Sequence, residues 1–338
     1  MARQEQWRVF QGTNGRFWHN PEVPDTAALP PAIFLMGPTA AGKTALALAL
    51  HDQLPVEIVS VDAAQVYRGL DIGTAKPSLE ERTRAPHRLI DIREPEEPYS
   101  VADFCDDALR AMREITAAGR IPLLVGGTLF YFRALEYGLS ALPKADPVVR
   151  AGLLREAEAL GWAALHARLE QLDPARAARI HRNDPQRIQR ALEIIALTGQ
   201  AASDFPMHGA SRLPYRLIKL ALYPTDRAWL HARIAARFQQ MQEQGFMDEA
   251  RRLFARPGMS TELPSMRTVG YRQAGLFLTG TINYDEMVVK ALSATRQLAK
   301  RQFTWLRSDK DSLKVECDAS GIDHEAILKY LFTNLPSL

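Results

Sequence analysis

The most restrictive feature of the 338-residue sequence is the octapeptide GPTAAGKT, which runs from Gly37 to Thr44. It stands between a short apolar run, Ala32 to Met36, and a helical pattern from Thr44 to Gln53. Two glycines separated by four residues and followed by Lys and Thr make the P-loop pattern, which is specific when a strand precedes it and a helix follows. We therefore predict a phosphate-binding loop.

The residue types of this loop explain how it would bind phosphate. Glycines let backbone N–H groups approach phosphate oxygens, and the N-terminus of the following helix attracts negative charge. Lys43 adds a mobile cation, and the hydroxyl of Thr44 is a predicted Mg²⁺ ligand. The predicted diphosphate- or nucleotide-binding residues are Gly37, Pro38, Thr39, Ala40, Ala41, Gly42, Lys43 and Thr44. The pattern does not reveal which polyphosphate is held, although ATP is the default expectation.

Strand and helix patterns alternate in the first part of the chain. Further apolar runs stand at Val56–Val61, Arg88–Ile92 and Ile121–Val125, with a helical pattern from Val101 to Ala118 before the last of them. This alternation predicts a parallel sheet with helices on both faces. The expected fold class is therefore α/β, a P-loop NTPase-like parallel sheet with a helical insertion domain.

A change of pattern indicates the domain organisation. From about Asp146 to Thr198 the sequence is helical, rich in Ala and Arg, and without a convincing strand. A strand returns at Tyr215–Tyr223, and a long helix is predicted over Asp226–Phe254. We predict an N-terminal arm without a catalytic role over 1–30, a catalytic core over 31–145 and 211–310, a helical tRNA-binding insertion over 146–210, and a C-terminal tail over 311–338.

Charge, cysteine content and hydropathy limit the partners and the cellular compartment that we expect for this protein. A net charge of +3 and a pI near 8.8 permit a nucleic-acid partner without requiring one. Cys105 and Cys317 stand in no metal-binding or disulfide spacing, which fits a reducing compartment. No apolar run reaches the length of a membrane span, and no secretory signal is visible near the N-terminus. We expect a cytoplasmic protein without a membrane partner.

Asp62 is the candidate general base. It directly follows the second predicted strand, and open α/β sheets bind their ligands at the carboxyl ends of the strands. A carboxylate there could accept a proton from an attacking nucleophile, which contributes about 10²- to 10⁴-fold in rate. An Asp at such a position also caps the next turn, and the residue taken by itself favours that structural interpretation.

The segment that contains Asp62, VDAAQVYRGLDIGTAKP at Val61–Pro77, resembles the corresponding signature of the tRNA dimethylallyltransferases. Many members of that family have Ser where this chain has Ala63, so a hydroxyl contact is not expected there. Further similar segments follow, in the family's order, across a match from Pro31 to Arg307: HRLIDI at His87–Ile92, YSVADF at Tyr99–Phe104, LLVGGT at Leu123–Thr128, NDPQRIQRALE at Asn183–Glu193, RTVGYRQ at Arg267–Gln273 and TRQLAKRQFTWLR at Thr295–Arg307.

The resemblance implies prenyl transfer to tRNA. In this family the P-loop holds the diphosphate of dimethylallyl diphosphate, which leaves as N6 of adenine 37 attacks the allylic carbon. Asp62 would then take the N6 proton, and Lys43 and the amides of Ala41–Thr44 would stabilise the leaving group. Thr128 would contact substrate near the reacting atoms. Arg237 is a further candidate cation, although an Arg on an amphipathic helix more often faces solvent. Mg²⁺ is the implied cofactor, and a monomer is expected.

The implied RNA partner is the anticodon stem-loop of tRNA. The predicted contacts are Asp62, Ala63, Ala64, Gln65, Arg150, Gln186, Arg187, Ile188, Gln189, Arg190, Arg267, Thr268, Val269, Gly270, Tyr271, Arg272, Lys300, Arg301 and Arg307. Among them, Arg150, Gln186–Arg190 and Arg267–Arg272 are the contacts that the resemblance implies. Arg296, Lys300, Phe303 and Arg307 also form one helical stripe, which suits backbone phosphates and a stacked base. The arginines of the insertion, taken alone, are better explained as a solvated surface.

Two other functions share parts of this pattern. A P-loop kinase of a nucleoside or small metabolite would have the same fold. However, the strand Leu123–Val125 runs into Gly126, Gly127 and Thr128 without the acidic residue that would hold magnesium, and no Arg-rich lid is recognisable. An NTPase that remodels RNA would need helicase-type motifs, which the sequence does not show. The kinase is the stronger alternative.

Overall fold

The computed structural model describes residues 8–12, 15–19, 29–206, 209 and 212–335, and of residues 8–19 it describes the backbone alone. Two antiparallel strands, β1 (Arg8–Gly12) and β2 (Gly15–His19), belong to the predicted N-terminal arm. The other parts of that arm, 1–7, 13–14 and 20–28, lie outside the described residues.

One parallel sheet forms the core of the larger of two compact units. Its strands are β3 (Pro31–Met36), β4 (Val56–Val61), β5 (His87–Arg88), β6 (Ile121–Gly126), β7 (Arg216–Pro224) and β8 (Leu313–Cys317). Their order is β5-β4-β6-β3-β7-β8, and all neighbouring pairs are parallel. β4 is buried along its whole length, as expected for a strand with both faces covered. The predicted α/β class is confirmed.

Helices cover both faces of this sheet. Along β3, Ile33 and Leu35 pack with α1 and α13 in one apolar cluster. Phe34, between them, contacts Phe132 of α4 on the opposite face, with ring centroids 4.9 Å apart. None of the described helices is both long enough and apolar enough to cross a membrane. The helices are α1 (Lys43–His51), α2 (Leu79–Arg84), α3 (Val101–Ala117), α4 (Leu129–Tyr137), α5 (Pro147–Leu160), α6 (Trp162–Leu172), α7 (Pro174–Ala177), α8 (Pro185–Thr198), α9 (Arg227–Glu243), α10 (Phe246–Phe254), α11 (Tyr271–Leu278), α12 (Tyr284–Ser308) and α13 (His324–Asn334).

The C-terminal segment is part of the core. The sequence separates residues 311–338 from the catalytic core as a tail. In the structure, β8 pairs with β7 as the edge strand of the sheet. Ile327 and Leu331 of α13 are buried in the same apolar cluster as the neighbouring strands. The strand and the closing helix of this segment therefore complete the sheet and cover one of its faces.

Two predicted elements are shorter in the structure. The strand predicted over Arg88–Ile92 ends at Arg88, because Leu89 and Asp91 have positive φ angles of 63° and 57° that no strand accommodates. The helix predicted over Asp226–Phe254 is divided into α9 and α10 by Gly245, whose φ is 92°. Positive φ angles are favourable for glycine and unfavourable inside a right-handed helix.

Residues Arg133–Leu213 form the second compact unit. Helices α5, α6 and α8 surround an apolar core in which Leu153, Leu165, Leu169 and Ile188 are buried. The sequence gives the limits of the helical insertion as 146 and 210, whereas the structure divides the chain at 133 and 213. The composition change marks where the helical pattern begins, and the chain leaves the larger unit earlier, within α4.

Candidate active site

The phosphate-binding loop leaves the sheet directly after β3 and ends in the first turn of α1. Ala40 and Gly42 have positive φ angles of 63° and 101°, and Ala41 N donates to Pro38 O at 3.3 Å. Among the described residues, no side chain caps the N-terminus of α1. The first amide groups of this helix are therefore available to an anion.

The ammonium group of Lys43 is held by the phosphate-binding loop itself. Its Nζ donates to Gly37 O at 3.0 Å and to Pro38 O at 2.8 Å. The pKa of Lys43 is lowered to about 8, first by burial and second by the charge of Arg237, while Asp62 acts in the opposite direction. Because its charged form is destabilised in this environment, a bound anion would stabilise it.

Three loops leave adjacent strands at the same level of the sheet. Met36 of β3 and Val61 of β4 both lie opposite Gly126 of β6 in the strand register. The phosphate-binding loop, Asp62 and Thr128 therefore follow neighbouring strand ends. A Cβ atom at Gly126 would lie 2.0 Å from Val61 O, so the approach of β6 to β4 requires glycine.

Asp62 caps the turn that follows it. Its Oδ1 accepts hydrogen bonds from Ala64 N at 2.8 Å and Gln65 N at 3.3 Å, and no described residue makes a hydrogen bond to Oδ2. Thr128 Oγ1 accepts from Ala63 N at 3.2 Å, which joins the Thr128 loop to this turn. The capping role and the role of a base are compatible, because one oxygen orients the carboxylate and the other can accept a proton.

Helix α9 directs two arginines one turn apart towards these loops. Arg237 is partly buried, and its Nη2 donates to Thr74 O at 3.4 Å. Its pKa is lowered by burial, whereas the charge of Asp62 raises it. Arg233 was not predicted as a site residue, and its Nε donates to Ala40 O of the phosphate-binding loop at 2.8 Å. Arg237 therefore lies beside Lys43 and Asp62 instead of on a solvated face.

A buried carboxylate fixes the loop that follows Asp62 in the chain. Glu249 of α10 is 4% exposed, and it accepts from Asp71 N at 3.1 Å, Ile72 N at 2.9 Å and Gly73 N at 3.1 Å. Tyr271 OH donates to the same carboxylate at 2.5 Å and accepts from Gly73 N at 3.1 Å. Burial and Glu249 both raise the pKa of Tyr271. We call this group the Glu249 clamp.

The sequence contains a weak signal for buried polar residues of this kind, which are polar residues at positions on the apolar face of a helix. Glu249 lies on the apolar face of α10 together with Phe246 and Leu253, both buried. Gln302 lies in the same way near Leu306 on the buried face of α12. A buried polar group is costly unless it has a partner, so a polar residue at an apolar helical position indicates a specific contact. Sequence patterns alone cannot show what that contact is.

The predicted RNA contacts of the larger unit differ in exposure. Gly270 and Tyr271 are buried. The ring of Tyr271 is fully buried and its hydroxyl binds Glu249, so its side chain has a structural contact here, and a contact of this residue with RNA stays a prediction. Gln65 is also engaged, since Nε2 donates to Ala75 O at 3.3 Å. The exposed members of the set are Ala63, Arg267, Arg272, Lys300, Arg301 and Arg307. The partly buried members are Asp62, Ala64, Gln65, Thr268 and Val269.

The predicted aromatic of the α12 stripe is partly covered. Phe303 packs edge-on against Tyr223, with ring centroids 5.3 Å apart at 84°. Arg307 Nε donates to the hydroxyl of the same tyrosine at 3.1 Å. The cations Arg296 and Lys300 are exposed. The stripe therefore presents charge at its surface, while the Phe303 ring belongs to the packing.

In the second unit, two of the predicted RNA contacts, Arg150 and Arg190, form ion pairs with a buried carboxylate. Glu193 is fully buried and binds Arg150 at 2.9 Å and Arg190 at 2.6 Å. The side chain of Ile188 is fully buried in the helical core, and a contact of this residue with RNA likewise stays a prediction. Arg187 is 70% exposed at its side chain. Gln186 is exposed and Gln189 is partly buried.

Comparison with known proteins gives the family. The family model for IPP transferase matches residues 65–309. The chain belongs to the IPP transferase family. Among solved structures, the chain is 37% identical to the tRNA isopentenylpyrophosphate transferase of Bacillus halodurans, with a TM-score of 0.64 over 89% of this chain and 94% of that one. The predicted family is thus confirmed.

Two further solved structures resemble this IPP transferase. The tRNA delta(2)-isopentenylpyrophosphate transferase of Staphylococcus epidermidis is 29% identical, with a TM-score of 0.63 over 90% of this chain and 98% of that one. A eukaryotic dimethylallyltransferase acting on tRNA is 24% identical, with a TM-score of 0.73 over 91% of this chain and 80% of that one. The likeness to the eukaryotic enzyme shows the shared fold alone.

The Glu249 clamp of this IPP transferase predicts that the substitution Glu249→Gln weakens the protection of the clamped amides against hydrogen exchange. Amide hydrogen exchange at Asp71, Ile72 and Gly73 should become at least about tenfold faster, because hydrogen bonds to a charged acceptor contribute about 1.5–3 kcal/mol. Glu243→Gln, at an exposed position of α9, is the matched control and should leave these amides unchanged. Unchanged protection in Glu249→Gln would contradict the clamp.

Proposed function

We propose that this IPP transferase moves a dimethylallyl group from dimethylallyl diphosphate to N6 of adenine 37 in the anticodon loop of tRNA and releases diphosphate. The observation that carries the proposal is that the phosphate-binding loop and Asp62 follow the ends of β3 and β4, the two strands that flank β6 at one level of the sheet. Asp62 and Arg237 both act on the pKa of Lys43. This arrangement suits an anionic leaving group beside a proton acceptor. Cytoplasmic location and a monomeric state stay predictions from the sequence.

The proposed reaction is a substitution at carbon 1 of the dimethylallyl group. The lone pair of N6 forms the new C–N bond while the C–O bond to diphosphate breaks, and its electrons leave with the diphosphate. The N6 proton passes to Oδ2 of Asp62, as expected of a general base. Lys43, Arg237 and the amides of the phosphate-binding loop stabilise the charge that develops on the leaving group. Thr128 lies beside this turn and would contact the substrate.

The residues of this site are compatible with a magnesium ion that is held mainly by oxygen atoms of the substrate diphosphate. Among the described residues, no three His, Cys, Asp or Glu side chains are grouped to hold a metal ion. Thr44 is exposed in the first turn of α1 and offers a hydroxyl oxygen. Mg²⁺ commonly binds with few protein ligands, substrate phosphate oxygens and water. When bound with the diphosphate, the ion would neutralise part of its charge.

The proposed substrate also explains why a loop of RNA is required. An adenine inside a stacked helix cannot reach Asp62, and extruding a base costs about a few kcal/mol, least where it is unpaired. The exposed cations of α12, Lys300, Arg301 and Arg307, are proposed to hold backbone phosphates. In the second unit, Arg187 is the proposed phosphate contact, because Arg150 and Arg190 share the charge of Glu193.

A phosphoryl-transferring kinase is not favoured. In a P-loop kinase, an acidic residue near the loop usually helps to hold the magnesium ion. Here β6 ends in Gly126, and Gly127 and Thr128 follow without a carboxylate. The loop geometry alone would serve either reaction, but the family and the absent acid after β6 favour prenyl transfer.

The proposed function is tested by following two labels. The enzyme is incubated with tRNA and either dimethylallyl diphosphate labelled in the allyl group or ATP labelled in the γ-phosphate. We expect the carbon label to enter tRNA and mass spectrometry of the digested tRNA to find the added mass on adenine 37. Transfer of labelled phosphate to RNA or to a nucleoside would support the kinase instead.

Replacement of the proposed base should separate turnover from binding. In Asp62→Asn the amide oxygen can still accept from Ala64 N and Gln65 N, so the turn should remain while the proton acceptor is lost. We expect kcat to fall about 10²- to 10⁴-fold with tRNA affinity nearly unchanged. Asp248→Asn, at an exposed position of α10, is the control. Turnover of Asp62→Asn within about tenfold of wild type would remove Asp62 as the base.

The lowered pKa of Lys43 predicts a pH dependence. The free enzyme carries the ammonium charge below pH 8 and loses it above, because the pKa is about 8. The kcat/KM for dimethylallyl diphosphate, which reports the free enzyme, should therefore decline above that pH by about tenfold per pH unit. In Lys43→Arg this decline should be absent, because a guanidinium stays protonated. A wild-type profile that stays flat up to about pH 10 would contradict the role of Lys43.

The proposed phosphate contacts predict salt-dependent losses. Arg187→Ala and Arg307→Ala should each weaken tRNA binding at low salt, and each should reduce the slope of log affinity against log salt by about 1. Arg168→Ala is the matched control in the second unit, because Arg168 pairs with Glu156 at 2.8 Å and is not a proposed contact. Wild-type affinity and slope in either variant would exclude that arginine from the interface.

A further inference from the structure

Gln302 connects two loops of the active site. This side chain of α12 is 7% exposed. Its Oε1 accepts from Thr39 N in the phosphate-binding loop at 3.0 Å, and its Nε2 donates to Gly127 O at 2.9 Å. One amide group therefore satisfies a backbone donor of one loop and a backbone acceptor of the other.

The two backbone groups that Gln302 binds belong to loops with different proposed roles. Thr39 belongs to the loop that would hold the leaving diphosphate. Gly127 directly precedes Thr128, whose hydroxyl accepts from Ala63 N beside the base Asp62. The spacing between the leaving group and the base depends on these two loops. A displacement of about 1 Å in such a site can lower the rate by about a hundredfold.

The chemistry of the contact demands an amide. A carboxylate can accept from Thr39 N but cannot donate to Gly127 O, and an ammonium group has the opposite defect. The contact also demands a glycine at 127, because a Cβ atom there would lie 2.5 Å from Gln302 Nε2. The next atom that this Cβ would meet, Gly37 O, is at an ordinary 3.4 Å. Gln302 and Gly127 thus form a matched pair.

We propose that Gln302 is a positioning residue for prenyl transfer, which holds the phosphate-binding loop and the Thr128 loop at a fixed spacing through the Gly127 carbonyl. The proposal rests on the function proposed above. Among the described residues, the hydrogen bonds of the Gln302 side chain go to two backbone groups, Thr39 N and Gly127 O. It would therefore act through the two loops and not on a reacting atom. Its loss should change use of dimethylallyl diphosphate and turnover, while the exposed RNA-facing cations of α12 remain in place.

The test compares four variants with wild-type enzyme in the carbon-label assay. They are Gln302→Ala, Gln302→Glu, Gly127→Ala and the double variant Gln302→Ala/Gly127→Ala. The matched control is Gln297→Ala, the same substitution at an exposed position of the same helix. For each, kcat, the KM for dimethylallyl diphosphate, tRNA affinity and the melting temperature are measured, so that an unfolded variant is recognised.

We expect Gln302→Ala to lower kcat/KM for dimethylallyl diphosphate about 10- to 100-fold, with tRNA affinity within about twofold of wild type. Gln302→Glu, which keeps size and the acceptor, should show the same direction of change without loss of folding. Gly127→Ala should match Gln302→Ala, because its methyl group displaces the amide. The kcat/KM of the double variant should then be no lower than that of either single variant, since the two substitutions remove the same interaction.

Other outcomes overturn the proposal. Wild-type kcat/KM in folded Gln302→Ala or Gln302→Glu would show that the contact does not position the loops. Additive losses in the double variant would show that Gly127 and Gln302 act independently. A fall in tRNA affinity alone would assign Gln302 to the packing of α12. Failure of the function itself is distinguishable, because wild-type enzyme would then transfer no carbon label.

Discussion

One backbone approach sets the geometry on which the proposed site depends. β6 ends at Gly126, and only a hydrogen at this position lets its backbone lie against the carbonyl of Val61. The parallel register then brings the ends of β3, β4 and β6 to one level. The phosphate-binding loop, Asp62 and Thr128 inherit their proximity from that register. Residues far apart in sequence are therefore brought to the same edge of the sheet.

The electrostatics of the site follow from this proximity. Lys43 and Arg237 are two cations in a partly buried space, and each has a lowered pKa because burial disfavours its charge. Asp62 offsets part of this cost for both of them. A diphosphate would offset more, since it brings negative charge to the same place. Both cations are thus destabilised when no anion is bound beside them, which favours the binding of an anion at this place.

Rigidity around the site comes from buried polar groups on helices. Glu249 accepts hydrogen bonds from three amides of the loop after Asp62, and Gln302 joins the phosphate-binding loop to the Thr128 loop. Each of these side chains would be costly to bury without its partners. Their partners are backbone groups of the active-site loops, so the stability of the helices and the geometry of the site are linked. Loops held in this way would need little reorganisation during the proposed reaction.

The sequence predicts the parts of the site that depend on local pattern. The loop from Gly37 to Thr44 and the position of Asp62 follow from the apolar strands before them, and the structure has both. The contacts of Glu249 and Gln302 depend on residues far away in the chain, so pattern shows only that they are polar on apolar faces. The motif around Tyr271 shows a similar limit, because a motif does not tell a surface contact from a buried one.

The most direct measurement is a crystal structure of the enzyme with an anticodon stem-loop and a non-reactive thio analogue of dimethylallyl diphosphate. We expect the diphosphate in the loop from Gly37 to Thr44, near Lys43 and Arg237. We also expect Asp62 Oδ2 within about 3 Å of N6 of the extruded adenine 37, which is hydrogen-bond reach for a base. An Asp62 carboxylate turned away from the adenine, or a diphosphate bound outside the loop, would contradict the central claim.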